Sequence, residues 1–457
     1  MKKVKEYLIQ NCNKVKINSK DIFRGDVFFA LAGNNTHGNR YIVEAINNGA
    51  KYIITDIQPD KKLRSQKILL VKDTIKYLFK LATLKRNLFN GNVIGITGSV
   101  GKTSVKENLK YFLSPFIKIS ASIKSYNNFL GVIISLANID LASDFAIFEM
   151  GTNNFSEIKE LTSIIKPSQI IITNIFPTHL EKLISTRNIA LEKADIFNPL
   201  YNPNVETAIL PSDNIDEKMI IKLAKNQKIP NIFTFGKSSI SSVKIINIIK
   251  INDDFIKILL HYKNQVYDFN LNRNQLYKIN NVLICFLIFK HNNFNIDKFV
   301  SLTQHIPLQE GRGLHNKIIF NDKKLNFIDE SYNASPKTMK ICINYFNDLK
   351  IKKNQKKFLI LGDMKELGHK ALKFHIELLN YIDKKKLENV IICGELMRLA
   401  LNKLENDKIL FMFKVNSIIK YLKKTINDDD FIIVKGSHSS LTNQLSKELL
   451  KKGKLNV

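Results

Sequence analysis

The chain is predicted to be an α/β protein of three domains, with a nucleotide-binding central domain built on a mostly parallel sheet. Three observations predict this. Its 457 residues exceed what one hydrophobic core usually serves. Continuous apolar runs such as Phe145–Phe148 and Gln169–Thr173 alternate with helical stretches, the pattern of strands covered by helices on both faces. The segment Ile94–Ser104 reads as a buried strand, a glycine turn and a helix start, which together cradle phosphate.

In chain order, the first unit is expected over residues 1–90. Asp26–Leu31 followed by Ala32-Gly33 reads as a strand and turn, Tyr41–Asn48 as a helix and Tyr52–Thr55 as the next strand. A helical run, Leu78–Leu88, then delivers the chain to Gly91-Asn92, a natural boundary. The second unit, 91–309, repeats strand and helix from Val93. Its texture changes between Val243 and Leu271, where β-rich segments around Asn252-Asp253-Asp254 predict an antiparallel excursion, and a long apolar helix follows from Asn281. The third unit, 310–457, resumes the alternation with strands Phe358–Leu361, Val390–Ile392 and Phe431–Val434, and is expected to be Rossmann-like. Each of these strands runs into glycine and polar residues, at the edge where an open α/β sheet binds ligands. No internal repeat or low-complexity tract interrupts this plan.

Composition removes several function classes. The longest apolar run, Val282–Phe289, is far short of the roughly 20 residues of a membrane span and reads as a buried helix. Met1-Lys2-Lys3 leads into Val4-Lys5-Glu6-Tyr7 without an apolar signal region, so a cytoplasmic address is expected. Cys12, Cys285, Cys342 and Cys393 lie far apart, with no metal or redox spacing, and are expected to be reduced structural thiols. The net charge of +29 is mostly lysine spread along the whole chain, which describes a solvated surface rather than a nucleic-acid stripe. Arginine is scarce, so an arginine beside a motif carries weight.

The chemistry-bearing residues cluster at predicted strand ends. Gly98, Ser99, Val100, Gly101, Lys102, Thr103 and Ser104 form a short Gly-x-x-Gly-Lys-Thr loop, with Ile96 where the widest form of the motif has another glycine. Backbone N–H groups and Lys102 would meet phosphate, and the Thr103 hydroxyl a magnesium ion. Glu149 ends a neighbouring strand, the place for a metal-binding carboxylate. His179 follows another strand on the same edge, whereas Lys193, on a helix, reads by itself as a surface lysine. In the third unit, Asp329, Ser331, Tyr332 and Asn333 end the strand Leu325–Ile328. Arg312 lies in the glycine-framed turn Glu310–Gly313, where a guanidinium could stabilise charge in phosphoryl transfer. Gly362–Gly368 and Val434–Ser439 add two more polar loops to the same rim.

Taken together, these segments resemble the Mur ligase family, the ATP-dependent amide-forming enzymes of peptidoglycan precursor synthesis, over essentially the whole chain. The matching stretches are Asn18-Ser19-Lys20, Arg24–Leu31, Thr97–Ser104, Ser125–Gly131, Glu149-Met150-Gly151, Asp329–Pro336, Gly362–Gly368 and Lys435-Gly436-Ser437. The resemblance implies a UDP-substrate-binding first domain, a central ATPase domain and a C-terminal ligase domain. It implies ATP on the glycine loop with Asn281, Arg312 and Asp329, and substrate contacts from Ser19, Lys20, Gly38, Asn127, Asn128, Ser331, Tyr332, Asn333, Lys435 and Ser437. It also implies two Mg²⁺ ions on Thr103, Glu149, His179 and a carbamate formed on Lys193, with Lys102, Lys193, His179 and Arg312 catalytic. The Ser-Tyr-Asn-Ala and Gly-Asp-Met-Lys-Glu-Leu-Gly pair is similar to members that add D-alanyl-D-alanine to UDP-N-acetylmuramoyl-tripeptide. A monomer acting on small molecules, without nucleic acid, is then expected. The alternatives are a ligase of the same architecture adding a different amino acid, or a basic ATPase acting on nucleic acid, which should carry a concentrated basic or aromatic stripe. The chain departs from the family at Leu276–Asn281, which keeps only the last asparagine of Gly-x-His-Asn-x-x-Asn, at Lys20 in place of arginine and at Ser335 in place of asparagine.

Overall fold

Three sheets, one from each stretch of the chain, frame the computed structural model, which describes residues 2–33, 36–60, 63, 67–252, 254–404, 408–452 and 454–455. The first sheet pairs β1 (Val15–Lys16), β2 (Val27–Phe29), β3 (Tyr52–Thr55) and β4 (Ile68–Leu70) in parallel and in that order. The expected strand Asp26–Leu31 shortens to β2 because the chain turns back on itself beyond it. The Gly38 N–H donates to the Leu31 carbonyl (2.8 Å), and a Cβ on Gly38 would sit 2.7 Å from the Ala30 Cα, so only glycine fits. The helix expected over Tyr41–Asn48 starts earlier as a 3₁₀ turn, Gly38–Tyr41, and continues as the α-helix Ile42–Asn47.

The helix ending at Leu88 begins at Thr74, four residues before the first expected position, because Asp73 caps it by accepting from the Lys76 N–H (2.8 Å). Leu78, Leu81, Ala82 and Phe89 pack in the same core as Val132, Leu136 and Ile158 of the second unit. Gly91 therefore marks a change of sheet and not the end of a core. Arg86 crosses this seam by donating to the carbonyls of Ile165 and Lys166, while Lys85 Nζ donates to the Leu8 carbonyl (3.1 Å) within the first unit.

The central sheet contains β5 (Asn92–Thr97), β6 (Ile119–Ala121), β7 (Phe145–Glu149), β8 (Gln169–Ile172), β9 (Thr207–Pro211), β10 (Asn231–Phe235), β11 (Val243–Lys250), β12 (Phe255–Tyr262) and β13 (Gln265–Asn272). Their order is β13-β12-β11-β10-β9-β8-β5-β7-β6, parallel except for the β11–β12–β13 meander. Both the buried parallel strands and the antiparallel excursion match the sequence pattern. The helix Ile279–His291 buries Val282 through Phe289 without a break, as its all-round apolar face requires. It packs on the helix Lys102–Leu113 through a phenylalanine cluster in which Phe112 stacks on Phe299 at 4.5 Å.

The third sheet contains β14 (Leu314–Phe320), β15 (Lys323–Glu330), β16 (Lys357–Gly362), β17 (Val390–Cys393), β18 (Ile409–Phe411), β19 (Phe431–Lys435) and β20 (Lys454–Leu455), in the order β18-β17-β16-β19-β15-β14-β20. The five strands from β18 to β15 are parallel, and β14 runs antiparallel to both its neighbours, β15 and β20. β5 lies between β7 and β8, and β16 between β17 and β19, so strand order reverses at both places. Crevices at such switch points open at the carboxyl ends of the strands, where both sets of polar loops emerge. No helix among the described residues is long and apolar enough to cross a membrane.

Candidate active site

The loop after β5 holds its shape through residues just past the end of its neighbour β8. Gly98 adopts φ +142°, and a Cβ there would lie 1.9 Å from Thr173 Oγ1. Thr173 Oγ1 donates to the Val100 carbonyl (2.6 Å), while Asn174 accepts from the Ser99 N–H (3.1 Å) through its backbone and from the Val100 N–H (3.0 Å) through Oδ1. Ser99 Oγ closes the loop by accepting from the Phe176 N–H (2.9 Å). Gly101, at φ +90°, then turns the chain into the helix Lys102–Leu113. The N–H groups of Lys102, Thr103 and Ser104 occupy its first turn, where helices leave donors unpaired, and so supply positive potential for an anion. Lys102 Nζ folds back on the Gly98 carbonyl (2.7 Å), and burial lowers its pKa to about 8 against the attraction of Glu149. Asn281 lies beside the same turn, its Oδ1 3.5 Å from where a Gly101 Cβ would be.

Glu149 is fully buried at the end of β7. Its Oε2 accepts from the Thr103 hydroxyl (2.9 Å), so the two oxygens expected to share a metal are already adjacent. Its Oε1 lies 3.0 Å from Lys106 Nζ but outside hydrogen-bonding geometry, and is buried without a hydrogen bond. A buried carboxylate with one oxygen free of hydrogen bonds, beside a threonine hydroxyl and at a helix start that attracts phosphate, fits a nucleotide-bound divalent cation. Lys106 is itself completely buried. It donates to the carbonyls of Ser122 (2.7 Å) and Lys124 and pairs with Glu107 (3.1 Å).

His179 sits past β8 with left-handed backbone (φ +53°), and its Nδ1 lies 2.6 Å from Glu366 Oε2 in the third domain. The hydrogen bond from His179 holds the Glu366 carboxyl below the usual range. Lys193, a surface residue by sequence alone, is 1 % exposed. Desolvation and then the nearby Lys102 push its pKa well below the ordinary lysine value. Next to it, buried Glu192 accepts from the Ser156 (2.7 Å) and Ile158 (2.9 Å) N–H groups, and so pins the chain that follows Glu149. Among the described residues no three His, Cys, Asp or Glu side chains converge as a metal cluster, so Thr103 or a modified Lys193 would have to complete one.

The third domain brings its predicted residues to the same rim. The Arg312 guanidinium lies 4.0 Å from the Tyr332 ring centre, and the Tyr332 hydroxyl donates to Ser125 Oγ (2.7 Å) of the central domain. Asp329 is buried and accepts from the Ser331 N–H (3.0 Å). Lys435 Nζ donates to Glu330 (3.2 Å) and to the Asn333 carbonyl (3.1 Å), and Ser437 Oγ accepts from the Lys365 N–H (3.0 Å). Ser335 caps the helix Pro336–Asp348.

The remaining predicted residues lie away from this rim or serve the fold around it. Ser19 donates to Glu44 (2.6 Å), Lys20 is exposed, and Gly38 packs against backbone. Asn128 Oδ1 caps the helix Phe129–Ala137 through the Gly131 N–H (2.9 Å), and the Asn127 carbonyl accepts from the Gly151 N–H (2.8 Å). Sequence reading missed Lys106, Glu192, Asn174 and Glu366 as parts of the site. Glu366 carried a signal in the glycine-rich stretch Gly362–Gly368, and Asn174 and Glu192 a weaker one as neighbours of the segments that hold His179 and Lys193.

Three family models match the chain. The Mur ligase middle domain matches residues 96–289, the Mur ligase glutamate ligase domain 317–438, and the catalytic domain of the Mur ligase family 11–86. A UDP-N-acetylmuramoyl-tripeptide--D-alanyl-D-alanine ligase of Rickettsia prowazekii is 35 % identical over 428 residues, which is 93 % of each chain. The chain belongs to the Mur ligase family. A Bacillus subtilis ligase of the same name is 24 % identical over 95 % of this chain and 93 % of its own. Among solved Mur ligase structures, MurF from Acinetobacter baumannii superposes with a TM-score of 0.79 at 22 % identity, covering 99 % of this chain and 98 % of its own. MurF from Thermotoga maritima in complex with ADP gives 0.78 at 24 %, covering 97 % and 98 %. At these identities the two structures establish the shared Mur ligase fold.

Proposed function

We propose that the chain is an ATP-dependent amide ligase that joins D-alanyl-D-alanine to UDP-N-acetylmuramoyl-tripeptide through an acyl phosphate. The observation that carries this reading is the meeting of two domains at one rim: Arg312, Tyr332 and Glu366 come to Lys102, Ser125 and His179. A carboxylate does not form an amide at neutral pH without activation, because oxide is a poor leaving group. In this reading residues 1–90 hold the UDP end with Ser19, Lys20 and Gly38, residues 91–309 hold ATP, and residues 310–457 bring in the second substrate. Lys102 and Arg312 face the γ-phosphate from opposite domains and stabilise charge as the tripeptide carboxylate attacks it. The amine of D-alanyl-D-alanine then displaces phosphate. Asn281 and Asp329 steady the nucleotide, and Asn127, Asn128, Ser331, Tyr332, Asn333, Lys435 and Ser437 line the substrate side. Two Mg²⁺ ions, one on Thr103 and Glu149 and one on His179 and a Lys193 carbamate, would neutralise phosphate charge.

The buried setting of Lys193 supports the carbamate. Burial lowers its pKa well below the ordinary lysine value and so favours the neutral amine, the form that adds to CO₂ with release of a proton. Domain closure supplies alignment, a large part of the rate gain in two-substrate reactions. The substrates are small molecules, consistent with a monomer working in the cytoplasm. The test is phosphate release with mass spectrometry of the product. Release should require both UDP-N-acetylmuramoyl-tripeptide and D-alanyl-D-alanine; stimulation by DNA or RNA, or by a different amino acid, would overturn the assignment.

A further inference from the structure

Tyr277, Lys278 and Glu330, which have no role above, form a polar cluster that bridges the second and third domains at the turn that carries Arg312. Tyr277 donates its hydroxyl to Glu330 Oε1 (2.6 Å), and Lys278 Nζ donates to the Arg312 carbonyl. Glu330 Oε2 takes the third contact, from Lys435 (3.2 Å). Gly311 and Gly313 adopt φ +70° and +86°, and a Cβ on Gly313 would sit 2.0 Å from the Tyr277 hydroxyl and 3.1 Å from Lys278 Nζ. The turn is therefore shaped around these two side chains. Both belong to Leu276–Asn281, the segment in which the chain departs from the family pattern.

The cluster is poorly suited to cohesion alone. Glu330 faces Lys278 and Lys435, with Arg312 adding a third positive charge nearby, and burial pulls the Lys278 pKa down to about 8. Buried ionic clusters of this kind hold domains together less well than apolar contacts of equal volume, but fixed donors and acceptors select one orientation. Here the orientation selected is that of Arg312. Its carbonyl is held by Lys278, and its guanidinium rests on Tyr332, which the central domain holds through Ser125.

We propose that Tyr277 and Lys278 are positioning residues that hold Arg312 toward the Lys102 loop, Lys278 through the Arg312 carbonyl and Tyr277 through its hydroxyl, which Glu330 fixes against Gly313 of the same turn. The inference rests on the reading of Arg312 as a group that stabilises phosphoryl transfer. The experiment uses the full chain carrying Tyr277→Phe or Lys278→Met, each alone and combined with Arg312→Ala. Tyr277→Phe removes one hydroxyl and keeps the ring, so it decides the matter even if Lys278→Met folds poorly. Each single change is expected to lower kcat at least about tenfold while ADP affinity, measured by calorimetry, stays within about threefold. With Arg312→Ala already present, either change should lower kcat by less than about twofold, because residues acting through one group are not additive. Full multiplication of the losses in that background would overturn the inference, as would a Tyr277→Phe enzyme with unchanged kcat or an Arg312→Ala enzyme as active as wild type. If wild type instead ligates a different amine, the substrate assignment fails, and the same comparison run with that amine still decides the role of Tyr277.

Discussion

Gly98→Ala tests whether the nucleotide loop is held in the way its contacts indicate. The new Cβ would lie 1.9 Å from Thr173 Oγ1 and 2.9 Å from the Thr173 backbone nitrogen, so rotating the threonine side chain cannot remove the conflict. At φ +142° the backbone is also in a region that side chains rarely adopt, which costs about 1–3 kcal/mol. Displacing Thr173 breaks its 2.6 Å bond to the Val100 carbonyl, worth about 1 kcal/mol. The sum is a loss of about 2–4 kcal/mol, read as a shift in urea denaturation. Because Val100 and the phosphate-facing N–H groups move together, ADP affinity measured by calorimetry should fall at least about tenfold, or about 1.4 kcal/mol. Thr173→Ala alone should cost about 1 kcal/mol, and adding it to Gly98→Ala should cost less than that, because the shared hydrogen bond is already lost. A Gly98→Ala protein within about 0.5 kcal/mol of wild type that binds ADP normally would refute the reasoning, as would strict additivity of the two changes.

Lys85 is buried with its pKa lowered to about 8 from 10.5, so keeping it protonated in the folded protein costs about 3 kcal/mol at neutral pH. Between those values the unfolded chain binds the proton and the folded chain does not, so its contribution to stability rises with pH; Lys85→Met should remove that rise and stabilise the protein by about 2 kcal/mol at pH 7 after loss of the Leu8 hydrogen bond, as urea unfolding at neutral and alkaline pH will show. Lys106→Met leaves buried Glu149 without its cation and should destabilise by about 3–5 kcal/mol, with part of the loss in thermal midpoint recovered by adding Mg²⁺ and ADP. Tyr332→Phe and Ser125→Ala should each slow ligation, yet together cost no more than the larger single effect, since both remove the same 2.7 Å contact between domains. Lys193→Ala should lose activity that bicarbonate does not restore and that short carboxylates restore in part; full activity would remove the carbamate from the mechanism.

What could be read from sequence was local. The strands Phe145–Phe148 and Gln169–Thr173, the all-apolar helix around Val282–Phe289 and the meander after Val243 announce themselves by periodicity, because a strand or helix must bury one face or all of them. The glycine loop was equally legible, because Gly98 and Gly101 supply backbone angles and close approaches that other residues do not. Boundaries were less so: the Asp73 cap and the reversal at Gly38 moved element ends, and the core shared across Gly91 does not show in a linear pattern.

The tertiary structure decided which charges are buried and whom they meet. Lys193 and Lys106 look like ordinary helical lysines in sequence, and only the packing of their helices against the sheet removes them from water. Glu366 and His179 stand 187 positions apart in sequence, and Tyr332 and Ser125 207 apart, so no local rule pairs them. The sequence by itself determined the three sheets and the phosphate-binding loop, since these depend on neighbours along the chain. The joining of two domains into one rim around that loop was decided only by folding, because electrostatic and hydrogen-bonding partners are set by distance in space.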